Sequence, residues 1–539
     1  MPNLLENEVF TVNPLGLRTL PGLLAALGAD EVDDLPALRP HQEPALHMTL
    51  VQIAALGLHQ AGLTTLPADE EGWRAVLRGL TPEHPDDAPW CLVVADPAKP
   101  AFFQPPVPDG LVLKNEVPTP DGIDLLITSR NHDLKQAVAR RHAAEDWAYA
   151  LISVQTSEGY GGAGNHGIVR MNGGSSSRPM LGLAPLPDGH AARWPRLGAR
   201  FRRDVERLLA TRDQAPEIGV LYPASGGLGL TWTAPWPEGR QLALDRLDIW
   251  FVEACRRIRL EPAGDGFRAR KGTSKAPRID GKHMKGMLGD PWAPVHVVEQ
   301  KSFTLAGRDF DYETLVELLL PETSQEWQLP LLARPSEAEK KQTMAVIAQA
   351  LSRGNSKTEG FKSRIIPLSG KVMRGLDRGP LRTELVTLAR AQVLEIKDMS
   401  RVLGNALNLM AVRGEYGRKN NKADEYIKSA KAELHRVADV MFFPHLWIRF
   451  EAEPAPGVDT TAKAEGDAAT VATSQPFVTT LHDHAVRIFE AALPEIPCPS
   501  IRRPRAEARA RELFSAGMRK RFSFISTSPS PRDDDDVAA

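Results

Sequence analysis

The sequence predicts an α+β protein, in which a large mixed domain with loops and small sheets precedes a C-terminal four-helix bundle. Before residue 380, short apolar runs alternate with prolines and glycines, a texture typical of short strands and long loops. Beyond Pro380 the apolar spacing becomes helical. The four long helical segments run roughly over 381–413, 422–452, 475–493 and 503–520. We therefore predict domains at 1–375 and 376–522, followed by a disordered acidic tail at 523–539.

Composition favours a non-secreted protein. The 539 residues carry a net charge of only −2, so a nucleic-acid partner must be met by local basic patches. The three cysteines lie far apart and form no CxxC pair, which fits a reducing compartment. Because the chain shows neither a signal-peptide pattern nor a long apolar run, we expect a cytoplasmic protein.

The N-terminal elements follow from apolar spacing and turn residues. A strand is predicted over Asn3–Val12 and a short helix around Leu20–Leu27. The next helix begins after Pro44, a favoured first-turn residue. A further helix, with apolar residues from Leu134 to Val154, runs into a glycine-rich stretch.

Later elements are predicted in the same way. Val295–Leu305 is expected to be a strand, and Pro335–Ser352 a helix that Gly354 ends. Asn355–Arg382 is expected to be a basic loop or hairpin. Pro454–Gln475 reads as a flexible linker within the bundle.

The glycine-rich stretch at 157–174 is the most distinctive segment of the chain. Gly159 to Gly164 spells GYGGAG, which matches the dinucleotide fingerprint GxGxxG. That fingerprint requires a strand before the glycines and a helix after them, and here a helix precedes them and none follows. What remains is a backbone loop that can approach a flat or polyanionic surface closely, or an ordinary surface loop.

A basic segment is the strongest electrostatic signal. Arg256–Lys285 holds ten Lys or Arg against three Asp or Glu, and its glycines and scarce large apolar residues predict an exposed loop. Such a loop suits phosphates. The candidate phosphate contacts are Arg268, Arg270, Lys271 and Lys275. A merely solvated loop is the alternative interpretation.

Signals for catalysis or metal binding are weak. His132 has no nucleophile or second ligand near it in sequence, and His482 and His484 would point away from each other on a helix. The chain contains no Walker A, HExxH or GxSxG pattern. We therefore expect a non-enzyme without a metal or cofactor.

Taken together, the motifs resemble the CasA large-subunit family of the type I-E CRISPR Cascade complex over nearly the whole chain. The resemblance lies in the order of NLLENEVFTV, RPHQEPALHMTLVQIAAL, SRNHDLK, SEGYGGAGN, WFVEACRRIRL, DPWAPVHVVEQKSF, RGNSKTEGFKSR and the four terminal helices. It implies a non-catalytic subunit that works with guide RNA and the other Cascade subunits. Such a subunit reads the protospacer-adjacent motif in duplex DNA, helps to separate the strands and presents a surface to the helicase-nuclease.

The resemblance also implies roles for particular residues. Gly161 and Gly162 would lie against the DNA minor groove, with Gln300 or Lys301 beside them. Asn355, Ser356 and Lys357 would form the strand-separating wedge. The loop that meets the guide RNA handle or a neighbouring subunit would comprise Ser129, Arg130, Asn131 and His132.

The chain departs from the family in two places. Where some relatives carry a cysteine-rich metal knot, this chain has the basic segment 261–285, so no zinc is expected. The wedge also lacks the glutamine typical of well-known relatives. Two other functions stay open: a nucleotide-dependent enzyme that uses GYGGAG as a phosphate cradle, and a stand-alone RNA-binding scaffold.

Overall fold

The structure is a computed structural model that describes residues 2–124, 142–187, 194–213, 222–323, 326–354, 357–377, 379–417, 424–452 and 463–527. The side chains of 354, 357, 358, 463–474, 526 and 527 are not described. The chain divides into two compact units. Unit 1 comprises Met1–Phe310 and Glu317–Met373, and unit 2 comprises Asp311–Val316 and Arg374–Ala539.

Helices occur in both units. Their bounds are α1 Leu20–Ala29, α2 Glu43–Gln60, α3 Glu70–Gly79, α4 Ala144–Thr156, α5 Leu197–Thr211, α6 Tyr312–Leu319, α7 Gly370–Gly375, α8 Pro380–Ala411, α9 Asp424–Ala452, α10 Lys463–Glu495 and α11 Arg503–Arg521. The N-terminal helices predicted around Leu20 and after Pro44 are thus confirmed as α1 and α2. The four predicted C-terminal segments are also helical.

The strands are short and form small sheets. Their bounds are β1 Phe10–Val12, β2 Gly16–Arg18, β3 Asn115–Val117, β4 Met180–Pro185, β5 Leu228–Leu230, β6 Leu242–Ala243, β7 Leu247–Val252, β8 Arg257–Ala263, β9 Gly266–Gly272, β10 Ile279–Asp280, β11 Val295–His296, β12 Lys301–Ser302, β13 Trp327–Gln328, β14 Met344–Gly354 and β15 Lys357–Leu368. The three-stranded sheets have the orders β3-β9-β8, β12-β11-β13 and β15-β14-β4. This mixture of helices and small sheets confirms the α+β class.

Helix α2 lies at the centre of unit 1. Every residue from Pro44 to Leu58 is buried, because α2 packs against α3, α4, α5 and β7. Its polar side chains are paired: Gln52 donates to the Phe251 carbonyl (2.8 Å), and His47 Nε2 lies 2.8 Å from Asp204. Helix α4 packs beside α2 and carries the chain to the glycine-rich stretch.

Unit 2 is built on the four long C-terminal helices. Helix α8 contacts α9, α10 and α11, and α9 contacts α10. Phe489 and Phe514 stack between α10 and α11 with ring centroids 4.5 Å apart. The buried Arg449 pairs with Glu395 at 3.1 Å.

Four predicted elements differ from the structure. The strand predicted over Asn3–Val12 is limited to β1, which begins at Phe10. Residues 344–352 form the strand β14 rather than the end of a helix, and β14 pairs with β4 on one edge and β15 on the other. All of these residues are buried, and a strand buried on both faces loses its alternating pattern. The strand predicted at Val295–Leu305 is interrupted, since Gln300 adopts a left-handed φ of 48° between β11 and β12. The predicted linker at 454–475 becomes helical at Lys463, where α10 begins.

The predicted tail at 523–539 is described only to residue 527. Ser523–Thr527 form a short 3₁₀ helix. The remaining residues of the tail lie outside the described part of the chain.

Candidate nucleic-acid interface

Residues 157–174, called here the glycine loop, begin where α4 ends. The Ser157 hydroxyl donates to the Ser153 carbonyl (3.0 Å), and Glu158 pairs with Ser177 in an isolated antiparallel bridge. No helix occurs between residues 157 and 187. The prediction that a helix enters the glycines and none leaves them is therefore confirmed.

The base of the glycine loop is closed too tightly for side chains. The Gly159 N–H donates to the Ser176 carbonyl (3.1 Å), and the Tyr160 N–H donates to the Gly174 carbonyl (2.6 Å). A Cβ on Gly159 would lie 2.4 Å from the Gly174 oxygen, and one on Gly167 would lie 2.6 Å from the Gly159 carbonyl carbon. Glycine is required at both positions because the obstructing atoms belong to the backbone.

The tip of the glycine loop is a tight turn that faces open space. The Gly161 N–H donates to the Asn165 carbonyl, and the Asn165 N–H donates to the Gly162 carbonyl, both at 2.9 Å. Gly162 has a φ of 104°, and no atom lies within 4 Å of where its Cβ would be. The tip therefore presents backbone with little side-chain bulk to its surroundings.

A buried ion cluster supports the base of the loop. The carboxylate of Glu158 accepts from Arg353 Nη2 at 2.9 Å and lies 3.6 Å from Arg256 Nη2, which also donates to the Gly159 carbonyl (2.6 Å). The side chains of Glu158 and Arg256 are each 5 % exposed. Because these charges are out of water, they must stay paired, and the pairing holds the loop in one position.

The chain after β9 supports the tip. The Ser274 N–H donates to the Gly164 carbonyl (3.0 Å), and Thr273 packs so closely on Gly164 that a Cβ there would lie 2.5 Å from the threonine Cβ. His166 Nε2 donates to the Ser274 carbonyl (3.2 Å). The tip is thus held from one side by a strand end and stays open on the other.

A cleft of about 740 Å³ lies between the glycine loop and the segment 277–285. Its lining residues are Gly159, Tyr160, His166, Gly167, Ile168, Val169, Met171, Asn172, Gly173, Gly174, Pro277, Ile279, Lys282 and Lys285. Lys282 and Lys285 are exposed, so the cleft combines an apolar interior with positive charge at its edge.

Gln300 and Lys301 lie at the turn between β11 and β12. Lys301 forms an ion pair with Glu299, and this interaction lowers the pKa of the Glu299 carboxyl. The next residue, Ser302, donates its N–H to the Lys285 carbonyl (2.9 Å), which ties this turn to the edge of the cleft. The turn that carries Gln300 and Lys301 therefore lies next to Lys285 at the edge of the cleft.

The predicted exposed basic loop at 256–285 was wrong in its structure. Residues 257–272 form the antiparallel β8–β9 hairpin. Arg256, Arg257, Arg259 and Arg278 are all buried. They donate to backbone carbonyls, as when Arg259 donates to the carbonyl oxygens of Lys99, Val94 and Asp96. Arg257 and Arg278 also lie over the Trp236 ring. Guanidinium groups satisfy several carbonyls at once, which the charge count could not reveal.

The four predicted phosphate contacts have different surroundings. Arg268 and Arg270 each pair with both Glu116 and Glu261, at 3.0 to 3.4 Å. Burial lowers the pKa of Lys271, whereas Lys275 is exposed. Two of the four cations are thus already neutralised by carboxylates.

Several predicted residues lie outside the described part of the chain. These are Ser129, Arg130, Asn131, His132, Asn355 and Ser356. Lys357 begins β15 and pairs with Gly354 across the hairpin, but its side chain is not described.

Sequence reasoning missed Lys282 and Lys285 as a pair at the cleft, and it missed the ion cluster around Glu158. The two lysines were counted only in the charge of the whole basic segment. Their i, i+3 spacing in KHMK was the available signal, but nothing local connects them to glycines more than a hundred residues earlier.

Among the described residues, no group of three His, Cys, Asp or Glu side chains is arranged to hold a metal ion. In the same part of the chain, no helix is both long enough and apolar enough to cross a membrane.

Solved structures resemble the chain along nearly its whole length. The CRISPR-associated protein Cse1 from Acidimicrobium ferrooxidans is 13 % identical with a TM-score of 0.62, covering 97 % of this chain and 99 % of that one. Thermobifida fusca Cse1 is 16 % identical with a TM-score of 0.60, covering 98 % and 99 %. Thermus thermophilus CasA (Cse1) is 14 % identical with a TM-score of 0.59, covering 96 % and 99 %.

No protein-family model and no curated protein matches the sequence. At the identities of the solved structures the likeness shows the fold. The chain has the fold of the Cse1 (CasA) proteins.

Proposed function

We propose that this chain is the non-catalytic CasA-type large subunit of a type I-E CRISPR RNA-guided Cascade complex. In that complex it recognises the protospacer-adjacent motif in double-stranded DNA. The shared fold supports this role, because it spans almost all of this chain and of each solved relative. The sequence motifs that resemble the family are distributed over the same length.

The observation that carries the motif-reading step is the open backbone tip of the glycine loop. A minor groove is only about 6 Å wide, so a protein backbone enters it best where side chains are absent. Gly161 and Gly162 meet this condition, and the buried pairing of Glu158 with Arg256 and Arg353 keeps the tip in place. Minor-groove readout is degenerate, which suits a short, permissive motif, while guide pairing specifies the target.

Strand separation is assigned to the end of the β14–β15 hairpin, where Asn355, Ser356 and Lys357 follow Gly354 in sequence. The described stem of that hairpin is joined to the base of the glycine loop. The Arg353 guanidinium donates to the Glu158 carboxylate (2.9 Å), and the Arg353 backbone N–H donates to the Ser176 hydroxyl (3.3 Å). The Ser177 N–H donates to the Leu351 carbonyl (3.0 Å). This shared support favours a mechanism in which motif reading positions the wedge.

Two further roles complete the proposal. Ser129 to His132 would meet the guide RNA handle or a neighbouring subunit, and the assembled subunit would help to recruit the helicase-nuclease. We expect the purified chain neither to cleave DNA nor to hydrolyse ATP. Metal-dependent turnover that persists through repeated purification would contradict this expectation.

A nucleotide-dependent enzyme is the less favoured alternative, because phosphate cradles of the GxGxxG type need a helix N-terminus after the glycines. Residues 157–187 contain none. NAD, FAD or ATP should therefore not raise the melting temperature, whereas a true ligand stabilises by RT ln(1 + [L]/Kd).

Co-expression tests the proposal directly. The chain is produced with type I-E Cascade subunits and a guide RNA, and the complex is purified through a tag on another subunit. We expect this chain to copurify and to confer binding to motif-containing duplex. A chain that binds RNA alone and never joins the complex would instead be a stand-alone scaffold.

A further inference from the structure

The cleft between the glycine loop and the segment 277–285 has no role in the proposed recognition of duplex DNA. Its volume of about 740 Å³ falls in the range of about 300–1,000 Å³ found for small-ligand sites. Four apolar side chains form much of its wall, namely Ile168, Val169, Met171 and Ile279, each less than a tenth exposed. Such a wall suits a flat apolar group.

The mouth of the cleft has a different chemistry. Tyr160 is 48 % exposed, and it lines the cleft together with Lys282 and Lys285. Among the described residues, no carboxylate oxygen lies within 4.0 Å of either lysine amino group, whereas Lys301 pairs directly with Glu299, a carboxylate whose pKa Lys285 also lowers from a greater distance. An aromatic ring and two available cations beside an apolar cavity complement a ligand that joins a planar base to a phosphate.

We propose that this cleft accepts one unpaired nucleotide of bound DNA, with the base beside Tyr160 and the phosphate against Lys282 and Lys285. The inference rests on the proposed function, because motif reading at Gly161 and Gly162 would bring duplex to the same loop. A base within an intact duplex cannot enter the cleft, so the site is selective for a nucleotide that has left the stack. Binding there would offset part of the cost of opening the first pair.

The test uses the purified full-length chain and two duplexes, which are identical except for one unpaired thymidine beside the motif. Base–aromatic stacking is worth about 1–3 kcal/mol, so we expect tighter binding of the bulged duplex by about fivefold or more. Tyr160→Ala removes the ring, and Asn172→Trp fills the cleft from its partly exposed wall. In both variants the affinity ratio of bulged to paired duplex should fall to about one.

Lys114→Gln is the matched control, because Lys114 is exposed and lies outside the cleft. This variant should keep the wild-type ratio. The inference is overturned if the wild-type chain shows no preference for the bulged duplex, or if Tyr160→Ala retains the preference.

Free dTMP distinguishes the source of the nucleotide. Tight binding of dTMP without any preference for bulged DNA would mark a small-ligand site and also overturn the inference. Failure of the proposed function would appear elsewhere, as failure to copurify with Cascade subunits, which this binding assay does not measure.

Discussion

The base and the tip of the glycine loop use the same residue for opposite reasons. At the base, Gly159 and Gly167 are glycines because neighbouring backbone atoms occupy the space of a side chain. At the tip, Gly161 is exposed and Gly162 faces open space. One glycine cluster thus contains a packing requirement at the base and an open backbone at the tip, and substitutions should separate the two.

The largest expected effect is at the base. Gly159→Ala would place a Cβ 2.4 Å from the Gly174 oxygen and 2.6 Å from the Ser176 oxygen, and neither backbone atom can rotate away. Overpacking usually costs about 1–3 kcal/mol, and we expect a loss in the free energy of unfolding at or above the upper end of that range. Denaturant unfolding measures it.

Gly161→Ala is the matched comparison at the tip. Its Cβ would lie 3.3 Å from the Arg256 guanidinium and 3.4 Å from the Asn165 side chain, and the nearest backbone atom that it would meet, the Asn165 oxygen, is at an ordinary contact distance of 3.8 Å. Its stability should stay close to that of the wild type. Equal destabilisation by the two substitutions would remove the distinction between base and tip.

The second effect concerns the ion cluster that joins the base to the β14–β15 hairpin. Glu158→Gln leaves Arg256 and Arg353 without a buried carboxylate, and removing one partner of a buried pair costs about 3–5 kcal/mol. Because the amide can still accept one hydrogen bond, we expect a loss of about 3 kcal/mol in the free energy of unfolding, which urea unfolding measures.

The partly exposed ion pairs between Glu116 on β3 and Arg268 and Arg270 on β9 supply the control for this cluster. Glu116→Gln should cost less than about 1 kcal/mol, since surface ion pairs contribute little. A cost for Glu158→Gln as small as that for Glu116→Gln would show that the cluster does not fix the loop.

The smallest expected effect concerns the salt dependence of DNA binding, which we compare for two sets of cations. Replacing Lys282 and Lys285 with Gln should flatten the salt dependence of DNA binding by up to about 0.9 per lost phosphate contact. Replacing Arg268 and Arg270 should change the slope less, because Glu116 and Glu261 already pair with them. Binding titrations over a salt series measure both slopes. A larger change in the salt slope for the arginine substitutions would indicate that DNA contacts the β8–β9 hairpin rather than the edge of the cleft.

Local sequence patterns predicted much of the fold. The apolar residues after Pro44 and beyond Pro380 indicated α2 and the C-terminal helices, since helical periodicity is a short-range signal. The same reasoning failed at β14, where the buried run MAVIAQAL suits either a helix or a covered central strand. Only the pairing with β4 and β15 decides between them.

The candidate site was predicted less completely. The glycines were visible in the sequence, and so was the lack of a helix after them. The charge of 256–285 was visible too, but the sequence could not show which cations would be buried, as Arg259 is, or paired with a distant carboxylate, as Arg270 is with Glu116. The cleft lysines and the Glu158 cluster arise from contacts between residues far apart in the chain.

Gly161→Asp tests most directly whether the tip of the glycine loop reads duplex DNA. Gly161 is preferable to Gly162, whose φ of 104° would strain any other residue. The measurement is an electrophoretic mobility shift of the assembled complex. Three targets are compared: duplex with the motif selected by the wild-type complex, duplex without it, and single-stranded target.

The aspartate adds bulk and a negative charge facing phosphates. We predict a loss of more than tenfold on the motif duplex, on the order of 1.4 kcal/mol or more, with single-strand binding and assembly nearly unchanged. An equal loss of affinity for all three targets, or no loss for any of them, would contradict the recognition of duplex DNA by the tip.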